Sequence, residues 1–238
     1  MVKGIITAAG LGTRSGLDGK LRKEILPLYD KIDGKLVLRP VLDMAYRRLR
    51  YAGCSEVIII LDPGDRMTEI YVESNFKNYV IAYQKEKIGF GNAVYIGTEL
   101  VGDDDFMLNA GDGIVMDFSY YKALKNSIET TITIFPVENP EKYGNPKIDE
   151  SGKKVLEVME KPEKPISKFA LAATYYFRND FKDYLKPSTV ELTDSINAYI
   201  SNGKTVRYNM INHSDWLSIG RKENYYNVIT DSFKFSQP

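Results

Sequence analysis

The run Lys3-Gly4-Ile5-Ile6-Thr7-Ala8 is short, apolar and rich in β-branched residues, and it leads straight into Ala8-Ala9-Gly10-Leu11-Gly12-Thr13-Arg14. A strand that ends in a glycine loop is the opening unit of a layered α/β fold, so this junction constrains the chain more than any other segment. Glycines there let main-chain N–H groups of Ala8, Ala9, Gly10, Gly12 and Thr13 turn toward a phosphate with no Cβ in the way. Arg14 and Lys23 add fixed positive charge. A glycine pair alone would more readily be an ordinary strand-to-helix turn carrying two surface cations. Two common nucleotide motifs are excluded. No Gly-Lys-Ser/Thr follows at P-loop spacing, and Arg14 stands where a dinucleotide fingerprint would continue toward its third glycine.

The rest of the first half repeats the alternation. Val41, Leu42, Ala45, Leu49 and Ala52 recur at helical spacing between Pro40 and Gly53, with arginines 47, 48 and 50 placed to favour the C-terminal end of the helix dipole. Glu56 to Leu61 is an apolar run suited to an interior parallel strand. Further strands are predicted at Tyr79–Tyr83 and Phe106–Ala110, with a helix over Gly91–Leu100 between them. From about Thr130 the chain turns β-rich, with strands predicted over Thr130–Val137, Lys154–Met159 and Phe169–Phe177. Two helices follow, one opened by Thr193 as N-cap and stopped by Gly203, the other over Arg221–Phe235. The expected fold is α/β: a Rossmann-like, mixed, mostly parallel sheet flanked by helices, with a smaller β-rich lobe. Its 238 residues read as one domain with two halves, about 1–115 and about 116–238.

Charge and cysteine content narrow the partners. The 32 basic and 32 acidic residues cancel, which argues against a nucleic-acid backbone as the main ligand. Apolar runs such as Val57–Leu61 are far shorter than the roughly 20 residues a membrane helix needs. Cys54 has no internal disulfide partner, and no signal-type apolar segment follows Met1, so a reducing cytoplasm is the expected location. A homo-oligomer is compatible with all of this.

Gly10-Leu11-Gly12-Thr13-Arg14 followed by Lys23 and Pro27 resembles the signature of the sugar-1-phosphate nucleotidylyltransferases, above all the glucose-1-phosphate uridylyl- and thymidylyltransferases. The resemblance implies that Arg14 and Lys23 embrace the triphosphate and the reacting phosphates. It continues in order along almost the whole chain. Gln84, with Gly89-Phe90-Gly91-Asn92-Ala93-Val94, is similar to the family's base-reading segment, where a glutamine amide and a glycine main chain hydrogen-bond the imide edge of uracil or thymine. Gly111-Asp112-Gly113 follows an apolar strand, and the family's corresponding aspartate binds Mg²⁺. Tyr143-Gly144, Glu160-Lys161-Pro162 and Tyr175 resemble the sugar side, with Glu160 accepting sugar hydroxyls and Lys161 acting on the sugar phosphate.

Three departures from the family pattern bear on the site. Asn145-Pro146 follows Gly144, and Ala172-Ala173 replaces a pair containing glycine, which implies a reshaped sugar pocket. In Trp216-Leu217-Ser218-Ile219-Gly220, Ser218 stands where the family carries a second metal-binding aspartate. Asp215, three residues along a strand, would point to the opposite face. His213 lacks metal-spaced partners and reads as a loop residue, and Asp103-Asp104-Asp105 reads as a solvated turn. The expected activity is transfer of a nucleotidyl group from UTP or dTTP to a sugar 1-phosphate, glucose 1-phosphate first among candidates, with Mg²⁺ as cofactor. Alternatives are a cytidylyl- or guanylyltransferase on another sugar or alcohol phosphate, which Gln84 weighs against, and a non-catalytic nucleotide- or NDP-sugar-binding regulator, which Ser218 leaves open.

Overall fold

The computed structural model describes residues 1–10, 12, 17, 21–220 and 222–237. In chain order the elements are β1 (Val2–Ala8), β2 (Pro27–Ile32), β3 (Lys35–Pro40), α1 (Val41–Ala52), β4 (Val57–Leu61), α2 (Arg66–Asn75), β5 (Tyr79–Tyr83) and α3 (Phe90–Thr98). There follow β6 (Asp105–Ala110), β7 (Gly113–Val115), α4 (Phe118–Lys125), β8 (Thr130–Pro136), β9 (Gly144–Asp149), β10 (Lys154–Glu160) and β11 (Phe169–Phe177). The chain closes with α5 (Leu192–Ser201), β12 (Val206–Met210), β13 (Trp216–Ser218) and α6 (Tyr225–Ser236).

Among the described residues, nine strands join in one sheet of order β5-β4-β1-β6-β11-β8-β12-β10-β9. The block β5-β4-β1-β6 is parallel throughout. Beyond β6 the pairing changes: β11 runs antiparallel to both β6 and β8, and β10 antiparallel to both β12 and β9, while β8 and β12 remain parallel. The sheet is thus mixed in equal parts rather than mostly parallel; only β9 and β10 are joined by a short hairpin connection, and the other antiparallel pairs bring together strands distant in the chain.

Burial of the parallel block follows the strand period. Along β1 and β4, Ile6, Val57 and Ile59 join the cluster that packs on α1, whereas Ile5, Ile58 and Ile60 join the one that packs on α3. Successive side chains point to opposite faces, so a strand covered on both sides must be apolar at every position. All five residues of β4 are buried. α1 turns its Leu42, Ala45 and Leu49 inward and ends at Gly53, whose φ of 91° is the left-handed conformation that glycine adopts most readily.

Several local expectations are corrected. Arg48 does not serve the helix end: it is fully buried, pairs with Asp30 at 3.1 Å, donates to the carbonyls of Met44, Val115 and Met116, and lies 4.1 Å from the Phe118 ring centroid. Arg50 does serve that end, donating to the carbonyls of Cys54 and Ser55. Thr193 is not an N-cap but a buried residue inside α5, which begins at Leu192 after Glu191. The hairpin β2–β3 and helices α2 and α4 carry too few periodic apolar residues to be evident beforehand. The last helix begins at Tyr225, after a short 3₁₀ turn over Lys222–Asn224; Arg221 lies outside the described residues. Of the acidic run, Asp105 belongs to β6 and binds Tyr176 Oη at 2.7 Å, so only its first members are turn residues. No described helix is long and apolar enough to cross a membrane.

Candidate functional site

In the parallel block, β1 passes to β4 on one side and to β6 on the other, so the chain reverses direction across the sheet between β1 and β6. The crevice outside such a switch point is where open α/β sheets bind ligands. Ala8 and Ala9 are buried at the end of β1, and Gly10 emerges into solvent. Gly12 has φ 66°, a conformation suited to glycine. Thr13 and Arg14 lie outside the described residues.

The end of β6 is fastened beside that loop. The Gly111 N–H donates to the Thr7 carbonyl at 2.9 Å, and a Cβ on Gly111 would stand only 2.9 Å from that oxygen. Close approach of the two strand ends therefore requires glycine and brings Asp112 next to the loop. Lys23 Nζ forms an ion pair with Asp112 Oδ2. β13 pairs antiparallel with β7, setting Ser218 opposite Gly113, and the Ile219 N–H donates to the Asp112 carbonyl at 2.8 Å. Trp216 lies against Gly113, where a Cβ would stand 2.4 Å from the indole ring. Asp112 and Ser218 line the same cavity. Asp215 is excluded for a reason other than strand alternation: it ends a 3₁₀ turn, and its carboxylate accepts the Asn212 N–H at 3.1 Å and the Asn212 side-chain amide at 2.9 Å. His213 belongs to that turn and packs edge-on against Phe135.

One carboxylate escaped the sequence reading. Glu24, next to Lys23, is 3 % exposed, and its Oε2 has no hydrogen-bond partner. Burial first, and the Asp112 charge second, push its carboxyl up to about 7. The only hint in sequence is an acidic residue entering the apolar run Ile25-Leu26-Pro27.

Gln84 follows β5 and is 4 % exposed. Its amide nitrogen donates both to the Gly89 carbonyl at 2.9 Å and to Asn92 Oδ1 at 2.8 Å. A carbonyl only accepts, so this fixes the amide's orientation, and Oε1 is left as the atom able to meet a ligand. Gly89 is required by contact, since a Cβ would lie 2.3 Å from the Val190 carbonyl. The Gly91 N–H donates to that carbonyl at 2.9 Å.

On the other side of Asp112, a cavity of about 270 Å³ collects Gly144, Glu160, Lys161 and Tyr175, together with Lys142, Glu191 and Trp216. Gly144 and Glu160 are register partners in the β9–β10 ladder, and a Cβ on Gly144 would collide with Leu171 at 2.8 Å. Lys161 has φ 41°, uncommon for a residue with a side chain, and its N–H is held by the Tyr143 carbonyl at 3.0 Å. Its ammonium pairs with Glu160 Oε1. Tyr175 is 3 % exposed, and burial, then the nearby Glu160 charge, raise its hydroxyl well above the usual phenol range. It follows an irregularity in the β11–β8 ladder between Ala172 and Tyr175, and Ala173 within it lines the cavity while Ala172 is buried in the core. A wider groove of about 1410 Å³ continues from Lys23, Asp112 and Lys161 toward α6. Asp112 and Ser218 line the smaller cavity together with Gly144, Glu160, Lys161 and Tyr175, and Lys23 lines the groove, whereas Gln84 and Gly89 line neither.

Comparison with known proteins agrees with this layout. A family model described as nucleotidyl transferase matches residues 3–234. Glucose-1-phosphate thymidylyltransferase of Neisseria meningitidis is 28 % identical over 240 residues, covering 94 % of this chain and 80 % of that protein. The enzyme of the same name from Xanthomonas campestris is 30 % identical over 239 residues, covering 94 % and 78 %. A crystal structure of a putative glucose-1-phosphate thymidylyltransferase from Bacillus anthracis, in complex with sucrose, superposes with TM-score 0.81 at 25 % identity and covers 98 % of this chain and 95 % of that one. The chain belongs to the nucleotidyl transferase family, as a sugar-1-phosphate nucleotidylyltransferase related to the glucose-1-phosphate thymidylyl- and uridylyltransferases, enzymes that join a nucleoside triphosphate to a sugar 1-phosphate.

Proposed function

We propose that the chain transfers the nucleotidyl group of UTP or dTTP to glucose 1-phosphate or a near relative, giving an NDP-sugar and pyrophosphate. The observation that carries the reading is the convergence on Asp112: the glycine loop and Lys23 on one side, the cavity with Glu160 and Lys161 on the other. Such an arrangement suits two polyanions that must meet end to end. A sugar phosphate oxygen attacks the α-phosphorus in line, a P–O bond forms, the α–β bridging P–O bond breaks, and pyrophosphate departs with the electron pair. The attacking oxygen is already anionic, so no protein nucleophile is needed, and catalysis consists of alignment and charge compensation.

Lys23 and Arg14 are assigned to the triphosphate, and Lys161 to the sugar phosphate. Glu160 and Tyr175 take sugar hydroxyls, Glu160 as an acceptor and Tyr175 as donor or acceptor. The orientation of Gln84 supports a uracil or thymine base: Oε1 can accept the imide N–H, and the Gly89 N–H can donate to an adjoining carbonyl. Cytosine would turn a lone pair toward Oε1, which disfavours the cytidylyl alternative. Residues from β9, β10 and β11 supply most of the sugar side, in keeping with a β-rich sugar-binding half.

The donors at the proposed metal position are the Asp112 carboxylate and the Ser218 hydroxyl, and no group of three or more His, Cys, Asp or Glu suited to a metal occurs among the described residues. This set fits Mg²⁺, which commonly takes one or two carboxylates and completes its shell with phosphate oxygens and water. When bound it would offset phosphate charge at the reacting centre. A pyrophosphate-release screen of the common nucleoside triphosphates against a panel of sugar 1-phosphates, with Mg²⁺, tests the assignment. Release with UTP or dTTP and glucose 1-phosphate is expected; nucleotide binding without release from any pair would favour the regulator instead.

A further inference from the structure

Gly10 and Gln84 lie at the ends of different strands, yet a single carboxylate links them. Asp62, the residue after β4, has its Oδ2 2.5 Å from Lys87 Nζ and 3.4 Å from the Arg22 guanidinium. Each cation carries the link onward to a main-chain carbonyl. Arg22 donates to Gly10 O at 2.9 Å, and Lys87 donates to Gln84 O at 3.0 Å. The far side of the hub is also fixed: Asp62 Oδ1 accepts the Gly64 N–H at 2.7 Å, and Arg22 Nε lies 3.8 Å from Asp65 Oδ2, whose partner oxygen caps α2 through the Thr68 N–H.

We propose that Asp62 is a positioning residue for nucleotide binding, holding Arg22 and Lys87 so that Gly10 and Gln84 are set as one unit. This rests on the reading of Gly10 and Gln84 as nucleotide contacts. A carbonyl oxygen turned toward a triphosphate repels it, and Arg22 takes up the Gly10 oxygen that would otherwise be able to do so. Asp62 and Arg22 are only 15 % and 11 % exposed at their side chains, so solvent screens their attraction less than at a surface pair. Burial alone would raise the Asp62 carboxyl, but the Lys87 and Gly64 donors and the two cations hold it below the usual range. Arg22 and Lys87 meet on Asp62 Oδ2, so that carboxylate is the group by which this network joins them.

That last point gives a test. Titration calorimetry of UTP against the wild-type chain, Arg22→Met, Lys87→Met and the double variant measures the coupling directly, and kinetics supply the KM for glucose 1-phosphate. Each single change should weaken UTP by about tenfold, leave the sugar phosphate KM within about twofold, and combine to well short of the about hundredfold product, because breaking either arm already releases the hub. Asp62→Asn should match the double variant, and adding either cation change to it should have little further effect. Multiplicative losses would overturn the proposal, since they would mean two cations acting separately on phosphate. An equal rise in both substrates' requirements would overturn it too, as general loosening of the fold. If Asp62→Asn fails to fold, the Arg22 and Lys87 cycle decides alone. UTP affinity is read without turnover, so a chain that binds UTP but releases no pyrophosphate refutes the proposed activity and leaves this coupling to be judged on its own data. If only dTTP binds, the same cycle is run with dTTP, and failure of both UTP and dTTP to bind the wild type would overturn both.

Discussion

At Glu24 a carboxyl is buried beside another acid, and its titration is a stability statement. Its pKa rises from 4.5 to about 7 on folding, chiefly through burial. Between those values the folded chain keeps a proton that the unfolded chain has lost. The stabilisation is therefore complete below the unfolded value and declines as pH rises, by at most about 3 kcal/mol once pH exceeds the folded value. Urea unfolding in chelator at pH 5 and pH 8 should show wild type losing stability relative to Glu24→Gln; parallel behaviour of the two would place the charge elsewhere. At Asp112, replacement by Asn removes the sole carboxylate assigned to Mg²⁺, and turnover should fall by about 10²-fold or more. Ser218→Asp should lower the Mg²⁺ concentration needed for half-maximal rate, and an unchanged titration would remove Ser218 from the metal position. Lys161→Ala should raise the KM for sugar 1-phosphate well above any change for nucleotide, whereas equal changes would assign the lysine to another task.

Among the elements, the short β7–β13 pair does more than its length suggests. It carries Ser218 to Asp112 and rests on Arg48, which reaches the Val115 and Met116 carbonyls from the buried face of α1. Arg48→Met would leave Asp30 charged and unpaired in the interior, so unfolding free energy should drop by about 3–5 kcal/mol in denaturant titration. A loss under about 1 kcal/mol would mean that Asp30 is not left as an uncompensated buried charge. What the sequence discloses about these elements depends on where their contacts lie. α1, β4, β5 and β11 were legible because an apolar pattern of period 3.6 or 2, or a continuous β-branched run, is local information. Arg48 was misread because its partners, Asp30 and the carbonyls after β6, are distant in sequence. Thr193 was misread because its capping chemistry is also compatible with a buried place inside a helix. Glu24 gave little warning, since burial of an acid is decided by the strands above it.

At the scale of the molecule, one continuous sheet carries both substrates' proposed contacts. In the proposed reading the parallel block β5-β4-β1-β6 serves the nucleotide and β11, β10 and β9 serve the sugar, so the reacting phosphates are expected to meet near Asp112. Part of this layout was legible because Gln84, Asp112 and Glu160 stand at or just beyond strand ends, whereas Tyr175 lies inside β11. The conversion from mostly parallel to evenly mixed pairing was not legible, because strand direction is set by connections whose path only the fold reveals. The proposed reaction makes a sugar phosphate oxygen the nucleophile and the nucleotide's α-phosphorus the atom attacked. Glucose 1-phosphate carrying ¹⁸O in its phosphoryl group, turned over with UTP or dTTP and analysed by mass spectrometry, tests it most directly. All of the label is expected in the NDP-sugar and none in pyrophosphate; label in pyrophosphate, or a sugar product without it, would overturn that assignment of nucleophile.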